Sequence, residues 1–354
     1  MTEALTRDAR TRTEPARRPG ARRRIRAVLL IVALVAVVAI SLAVGTRTIS
    51  PATVITALLD PADLGTAGET DAIVVRELRL PRTVIGLLVG AALGVAGVVM
   101  QGVTRNPVAD PGLLGVNAGA AFAVVLGISV AGVTSPVGLA GLALVGSLAA
   151  AALIATIAAS ARAGAAPVLL VVAGAAVTAG LTSLSTLVLL GDPAALDRYR
   201  FWTVGSLTGR GLDAAVTLAP LLLVGVVVAL ALARALDALA LGDDVARGLG
   251  FRLRPTRAAA VGAIVLLCGT ATALAGPLVF VGLLGAHGAR ALVGGGHLRL
   301  LPVAAVIGAA LVLLADSLGR VVTPPGELEV GIVVAAIGAP LLIVLVRSRR
   351  AAGL

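Results

Sequence analysis

The sequence has no lysine; all 29 of its basic residues are arginine. A phosphate-binding loop of the form GxxxxGK[ST] cannot occur without that residue, so nucleotide hydrolysis by such a loop is excluded. Cysteine occurs once, at Cys268, and histidine twice, at His287 and His297. A single cysteine rules out an intrachain disulfide, and these residues form no ligand set for a metal. Cys268 sits in an apolar run and reads as a small packing residue. Aromatic residues make up 2% of the chain. Stacking platforms for bases are therefore missing, and the net charge of +11 does not point to nucleic acid. Charged residues amount to 13%, about half of the roughly 25% usual in soluble domains. No cluster of catalytic residues is visible, which argues against an enzyme.

What remains is apolar. Of 354 residues, 58% are hydrophobic, against roughly 45–50% in soluble domains. Ten apolar runs are predicted, at 27–44, 83–103, 112–132, 136–159, 167–190, 212–233, 258–275, 277–293, 301–318 and 330–346. Several are at the short end of the roughly 17–25 residues a bilayer span needs. The seventh and eighth abut at Gly276-Pro277, which predicts a bent or re-entrant element there. An all-α polytopic membrane protein follows, with one transmembrane domain over 27–347 and short tails at 1–26 and 348–354. The first tail holds nine arginines with Pro15, Pro19 and Gly20, a disordered composition. A signal peptide is the rival reading, but the following run is long and lacks a small-x-small cleavage site.

Charge sets the orientation. With the N-terminus inside, 21 of the 29 arginines fall in cytoplasmic segments and 8 outside. Without the first tail the ratio is 12 to 8. Both termini are predicted to be cytoplasmic, in a cell membrane. Arg76, Arg79 and Arg82 then cluster on the outside, where positive charge is disfavoured. They are either the snorkelling end of a helix or an exposed cationic patch for an acidic partner.

Residues 79–120 are the most informative stretch. Glycines at 86, 90, 94 and 97 lie on one helix face and allow close helix contact in lipid. Asn106-Pro107 and Asp110-Pro111, followed by Gly115, predict a rigid turn in which amide and carboxylate cap the next helix. A second informative stretch is 239–250. It is short, polar and helical in pattern. Gly242 breaks the chain, Asp243 and Asp244 begin a helix, and Gly248 and Gly250 end it.

These pieces, RLPR (79–82), GAALGVAGVVMQG (90–102), NPVADPGLLGVNAGA (106–120), FWTVGSL (201–207), LALGDDVARGLG (239–250), AGPLVFVGLL (275–284), ADSLGR (315–320) and ELEVGIVVAAIGAP (327–340), occur in one order. In that order the chain resembles the FecCD-like permeases of ABC importers for ferric siderophores, haem and cobalamin. The resemblance covers nearly everything after the first tail. It implies a type II importer permease of about ten spans, paired with a second copy or a related permease in lipid. Cytoplasmic ATP-binding subunits would use ATP and magnesium, and an extracytoplasmic substrate-binding protein would deliver cargo. This chain would bind no cofactor. The resemblance further implies that Arg79, Arg82 and Arg320, with Arg76 beside them, meet glutamates of the binding protein. Leu241, Gly242, Asp243, Asp244, Ala246, Leu249 and Gly250 would couple to the ATPase. Phe201, Trp202, Gly205 and Ser206 would border and gate the path, although Trp202 reads equally well as a membrane-interface anchor. His287 departs from the family's Pro-His, because Ala286 precedes it; it reads as a structural histidine rather than a proton relay. Ferric siderophore is the expected cargo, with haem and cobalamin as alternatives. An ion-coupled secondary transporter is the rival class. It would want acids at mid-depth, and the predicted spans carry none there.

Overall fold

The structure is a computed structural model and describes residues 19–59, 65–113, 115–159 and 166–351. Among these residues the regular structure is helical. The elements are α1 (Pro19–Ala43), α2 (Pro51–Leu59), α3 (Gly65–Ile73), α4 (Leu80–Thr104), α5 (Val116–Ser129), α6 (Pro136–Ala159), α7 (Ala166–Leu190), α8 (Pro193–Thr203), α9 (Leu212–Ala231), α10 (Ala233–Ala240), α11 (Asp243–Gly248), α12 (Leu253–Ala275), α13 (Val281–Val293), α14 (His297–Val322) and α15 (Val330–Ala351). A π-helical turn at Val74–Arg79 joins α3 to α4, and a 3-10 turn at Pro111–Leu113 precedes α5.

All ten predicted apolar runs appear as helices. Among the described residues, seven stretches are long and apolar enough to cross a membrane: Ile25–Ala43, Gly68–Thr104, Pro136–Ile157, Val172–Leu190, Leu212–Ala231, Leu253–Ala275 and His297–Val322. The other three are shorter apolar helices at Val116–Ser129, Val281–Val293 and Val330–Val344. The break expected at Gly276-Pro277 is present. Gly276 has φ 75° and Phe280 has φ 67°, so the chain turns between α12 and α13. With 13 residues, α13 is about 20 Å long, roughly two-thirds of a hydrocarbon core.

Helices extend into both expected tails. Helix α1 begins at Pro19, so residues 19–26 of the expected disordered tail are helical; residues 1–18 lie outside the described residues. At the other end α15 runs to Ala351, so residues 348–351 of the expected tail continue the helix.

Helix α4 forms the centre. It packs against α14, α12, α13 and α9, and from Ala92 to Val103 every residue is buried. A helix that is apolar all round belongs inside a protein or a bilayer. Its glycines let neighbours approach to backbone contact. A Cβ at Gly90 would land on the Gly308 carbonyl, one at Gly94 on the Ala304 carbonyl and one at Gly97 on the Gly282 carbonyl. The seam of α4 with α14 and α13 is thus backbone on backbone, with no side chain able to yield. A second cluster joins α5, α6 and α8 through Val124, Val125, Ala143 and Trp202.

Side-chain contacts sort the connecting segments into two ends of the bundle. Arg26 reaches the Leu292 carbonyl (2.8 Å), Arg105 the Leu239 carbonyl (2.7 Å), and His297 pairs with Asp237 (2.6 Å). Arg82, Arg320, Arg79 and Arg210 contact one another's surroundings at the opposite end of α4. Arg26, Arg105 and His297 thus gather at one end of the bundle, and Arg79, Arg82, Arg210 and Arg320 at the other.

Candidate functional site

At the first end of α4, three arginines converge. Arg82 donates from Nε to Asp316 Oδ1 (2.7 Å) and from Nη1 to Glu327 Oε2 (2.6 Å). Arg320 approaches Asp316 Oδ2 through Nη2 (3.2 Å) and donates to the Ser41 carbonyl (2.9 Å). Arg79 donates to the carbonyls of Leu42 (2.8 Å) and Arg47. Ser41 and Leu42 belong to the last turn of α1, whose carbonyls have no partner within their own helix. Cations at that end also complement the helix dipole, so two of these arginines cap α1.

This geometry corrects one expectation. Arg79, Arg82 and Arg320 are not an exposed cationic patch. Their relative exposures are 5%, 8% and 3%, because a guanidinium at the edge of an apolar bundle needs acceptors, and carboxylates and helix-end carbonyls supply them. Arg76 is half-buried and donates to the Leu58 carbonyl (3.3 Å). The cluster still faces an opening. A recess of about 420 Å³ is lined by Arg47, Arg79, Arg82, Arg210 and Arg320, with only Glu77 and Glu327 as acids. Glu327 is about one-third exposed on its side chain, so Arg82 is covered there by a partner that solvent can reach. Asp316 and Glu327 lie in ADSLGR and ELEVG, segments singled out in the sequence without a role for either acid. Their presence in those segments was the available signal.

At the other end of α4, the stretch 239–250 forms the helical break that the sequence predicts. Gly242 has φ 115°, a conformation open to glycine alone, and α11 follows directly. Asp243 turns inward, where Arg257 Nη2 donates to both its oxygens (2.9 and 3.0 Å) and Arg105 Nη2 donates to Oδ1. Partial burial opposes its ionisation, but the bonds and charge of Arg105 and Arg257 outweigh that and hold its carboxyl below the ordinary carboxylate range. Asp244 faces solvent and pairs with Arg247 (2.6 Å). Ala246 is fully buried, whereas Leu241, Val245 and Leu249 are exposed by 66%, 46% and 60%. Three large apolar side chains thus project into solvent from one short polar stretch.

The NPVADP turn departs from its expected role. Asn106 accepts from its own turn, at Val108 N (3.1 Å). Asp110 accepts from Gly112 N (2.9 Å) and, across the bundle, from Leu283 N (3.1 Å). It therefore caps the first turn of α13, not α5, whose cap position is Gly115 with φ 75°. Pro107 and Pro111 flank these residues, and Pro111 packs beside Gly282. The cap falls on α13 because Gly97 and Gly282 bring that helix's start directly beneath the turn.

Residues 201–206 meet the break between α12 and α13. Ser206 N donates to the Ala275 carbonyl (2.7 Å), and Gly331 N donates to the Gly205 carbonyl (3.1 Å). Phe201 is 65% exposed. Trp202 is buried and stacks on Tyr199 with centroids 6.3 Å apart. It is a core residue of the α5–α6–α8 cluster, not a membrane-interface anchor. His287 lies half-buried on α13, and His297 pairs through Nδ1 with Asp237 (2.6 Å).

Comparison with known proteins adds to this picture. The FecCD transport family model matches residues 32–348. The chain is 44% identical over 325 residues to the ferric enterobactin transport system permease protein FepD of Escherichia coli K12, covering 92% of this chain and 95% of that protein. It is 37% identical to the Fe(3+) dicitrate transport system permease protein FecD of the same organism, over 80% of this chain and 88% of that one. Among solved structures it matches an inward-facing metal-chelate type ABC transporter with TM-score 0.78 and 28% identity, over 92% of this chain and 99% of the other.

Proposed function

The chain belongs to the FecCD transport family, and on that premise we propose that it is the membrane-spanning permease subunit of an ATP-driven importer of ferric siderophores. The observation that carries this reading is the 44% identity to a ferric enterobactin permease across 95% of that protein's length. Ferric citrate and hydroxamate permeases are among the other relatives, so ferric chelates are favoured over haem and cobalamin. The subunit works in the bacterial inner membrane with both termini in the cytoplasm. It pairs with a second copy or a related permease around a central path. ATP and magnesium act in separate ATP-binding subunits, and a substrate-binding protein delivers the chelate from outside.

Two surfaces support this assignment. At the cytoplasmic end, exposed Leu241, Val245 and Leu249 offer an apolar face to the ATPase, while Gly242 and Gly250, both at positive φ, shape the segment that carries it. At the outer end, the arginine-lined recess suits acidic side chains of the binding protein. An incoming carboxylate would compete with Glu327 for Arg82, and buried Arg79 and Arg320 would hold the recess in place behind it. Phe201, Gly205 and Ser206 would border the path at the break between α12 and α13. Transport then proceeds by alternating access: ATP binding in the partners displaces α11, and the spans rock around the path. This chain makes and breaks no covalent bond.

Reconstitution into liposomes with the ATPase and binding protein tests the proposal. Uptake should require ATP and the binding protein, and should favour a ferric siderophore in a screen that includes ferric citrate, haem and cobalamin. Uptake that survives ATP depletion but collapses with an uncoupler would refute it.

A further inference from the structure

Helix α4 ends in an unusual way. Its C-cap residue is Arg105, a non-glycine in the left-handed region at φ 51° and ψ 26°. That conformation is costly for a residue with a Cβ and persists only where surrounding contacts impose it. Arg105 Nε donates to the Leu239 carbonyl in α10 (2.7 Å), and Nη2 donates to Asp243 at the start of α11. From the other side, Arg257 in the first turns of α12 holds the same carboxylate by both oxygens.

A surface that merely presents three leucine- and valine-type side chains to a partner does not need this grip. Asp244, one residue on, shows the alternative: it faces solvent and pairs with Arg247 on the same short helix. Gly242 separates α10 from α11, and α11 packs on α10 and α12. Asp243 and Arg105 add a direct side-chain link from α11 to α4, beside the packing of α10 on both helices. Side-chain exposures of 37% for Arg105 and 21% for Asp243 mean that this ion pair contributes little to overall stability. Its consequence is geometric.

We propose that Arg105 and Arg257 are positioning residues that make Asp243 the joint through which displacement of α11 is handed to α4 and α12. The proposal rests on the reading of α11 as the segment that meets the ATPase. Beyond the joint, the path is rigid. Helix α4 spans 25 residues, about 36 Å from end to end, and its seam with α14 and α13 is backbone against backbone. At its far end it carries Arg82, whose side chain opens onto the outer recess. One helix thus links the ATPase side to the docking side, and its inner end is fastened by a charge pair that a lever can pull on.

The test uses the complete complex in liposomes with Arg105→Gln, Arg257→Gln and the double variant. Arg105→Gln is the primary variant, since its partly exposed side chain is replaced without disturbing the core. The assembled yield, the thermal midpoint and the basal ATPase rate should stay at native values. Uptake stimulated by the loaded binding protein should fall at least tenfold, and ATP hydrolysed per chelate transported should rise by a similar factor. Arg105→Lys, which keeps the charge, should recover part of the loss. An uptake and coupling ratio within twofold of native in the double variant would overturn the proposal, as would loss of assembly in Arg105→Gln or a Lys variant no better than Gln. Leu249→Asp tests the underlying reading separately: normal ATPase assembly in that variant would refute the docking surface, whatever the arginine variants do.

Discussion

Replacing Asp316 by Asn puts the buried charge cluster to a quantitative test. Asp316 is fully buried and faces two guanidiniums, Arg82 at 2.7 Å and Arg320 at 3.2 Å. With Arg79 alongside, the native cluster holds three positive and two negative side chains. The substitution leaves three against one, and the one is Glu327, which reaches only Arg82. Arg320 keeps Ser41 and Ser317 as hydrogen-bond partners (2.9 and 3.1 Å) but loses its counter-charge. Removing one member of a buried pair costs about 3–5 kcal/mol, mostly from the charge left behind. That corresponds to roughly two to four powers of ten in an unfolding equilibrium. The assay is thermal unfolding of the detergent-solubilised chain, followed by monodisperse peak height. The sharper measurement adds Arg320→Gln. The double variant has two arginines and Glu327, the same net charge as the native cluster, so it should recover about 1–3 kcal/mol of the loss. Strictly additive losses, or an Asp316→Asn variant as stable as native, would refute the view that mutual neutralisation keeps these arginines inside. The same cluster makes Arg79→Glu with Arg82→Glu a poor probe of docking, because it would gather four acids in one buried site.

Two further outcomes follow from the geometry. Gly94→Leu should cost about 3 kcal/mol, the upper part of the overpacking range, because its Cβ would meet the Ala304 backbone; monodisperse yield should collapse, while Gly262→Leu, with open space at its Cβ, should be tolerated. The depressed carboxyl of Asp243 contributes stability that is present above its unfolded value of about 3.9 and is lost as pH falls through its lower folded value. Hydrogen exchange across residues 239–250 should therefore be flat from about pH 8 to 5 after correction for intrinsic rates and rise only below about pH 4; a rise near neutrality would contradict the assignment.

Much of the architecture was legible in the chain. Hydropathy located all ten apolar helices, because a backbone in lipid must satisfy its own hydrogen bonds and does so within a single segment. Gly242 and the paired aspartates marked helix α11, since a glycine break followed by acids is a local signal for a helix start. Trp202 was ambiguous because its composition signal, a lone tryptophan near a span end, is the same for a lipid anchor and for a core residue; Tyr199 and the α5–α6 pair decided it.

What stayed hidden depends on pairs far apart in sequence. Arg82 and Asp316 are 234 residues apart, Arg82 and Glu327 are 245 apart, and Asp110 and Leu283 are 173 apart. No local pattern records such distances. An arginine at a span end looks the same in sequence whether it points to water or folds back onto a carboxylate. The sequence determined that this chain crosses a membrane many times, which helices it forms and which family it joins, because those follow from local hydropathy and short ordered motifs. Only the tertiary structure decided that Arg82 and Arg320 pair with acids inside the bundle, that Asp110 caps α13 and that Arg105 and Arg257 fasten Asp243. Those facts are set by which helix ends the close glycine contacts bring together.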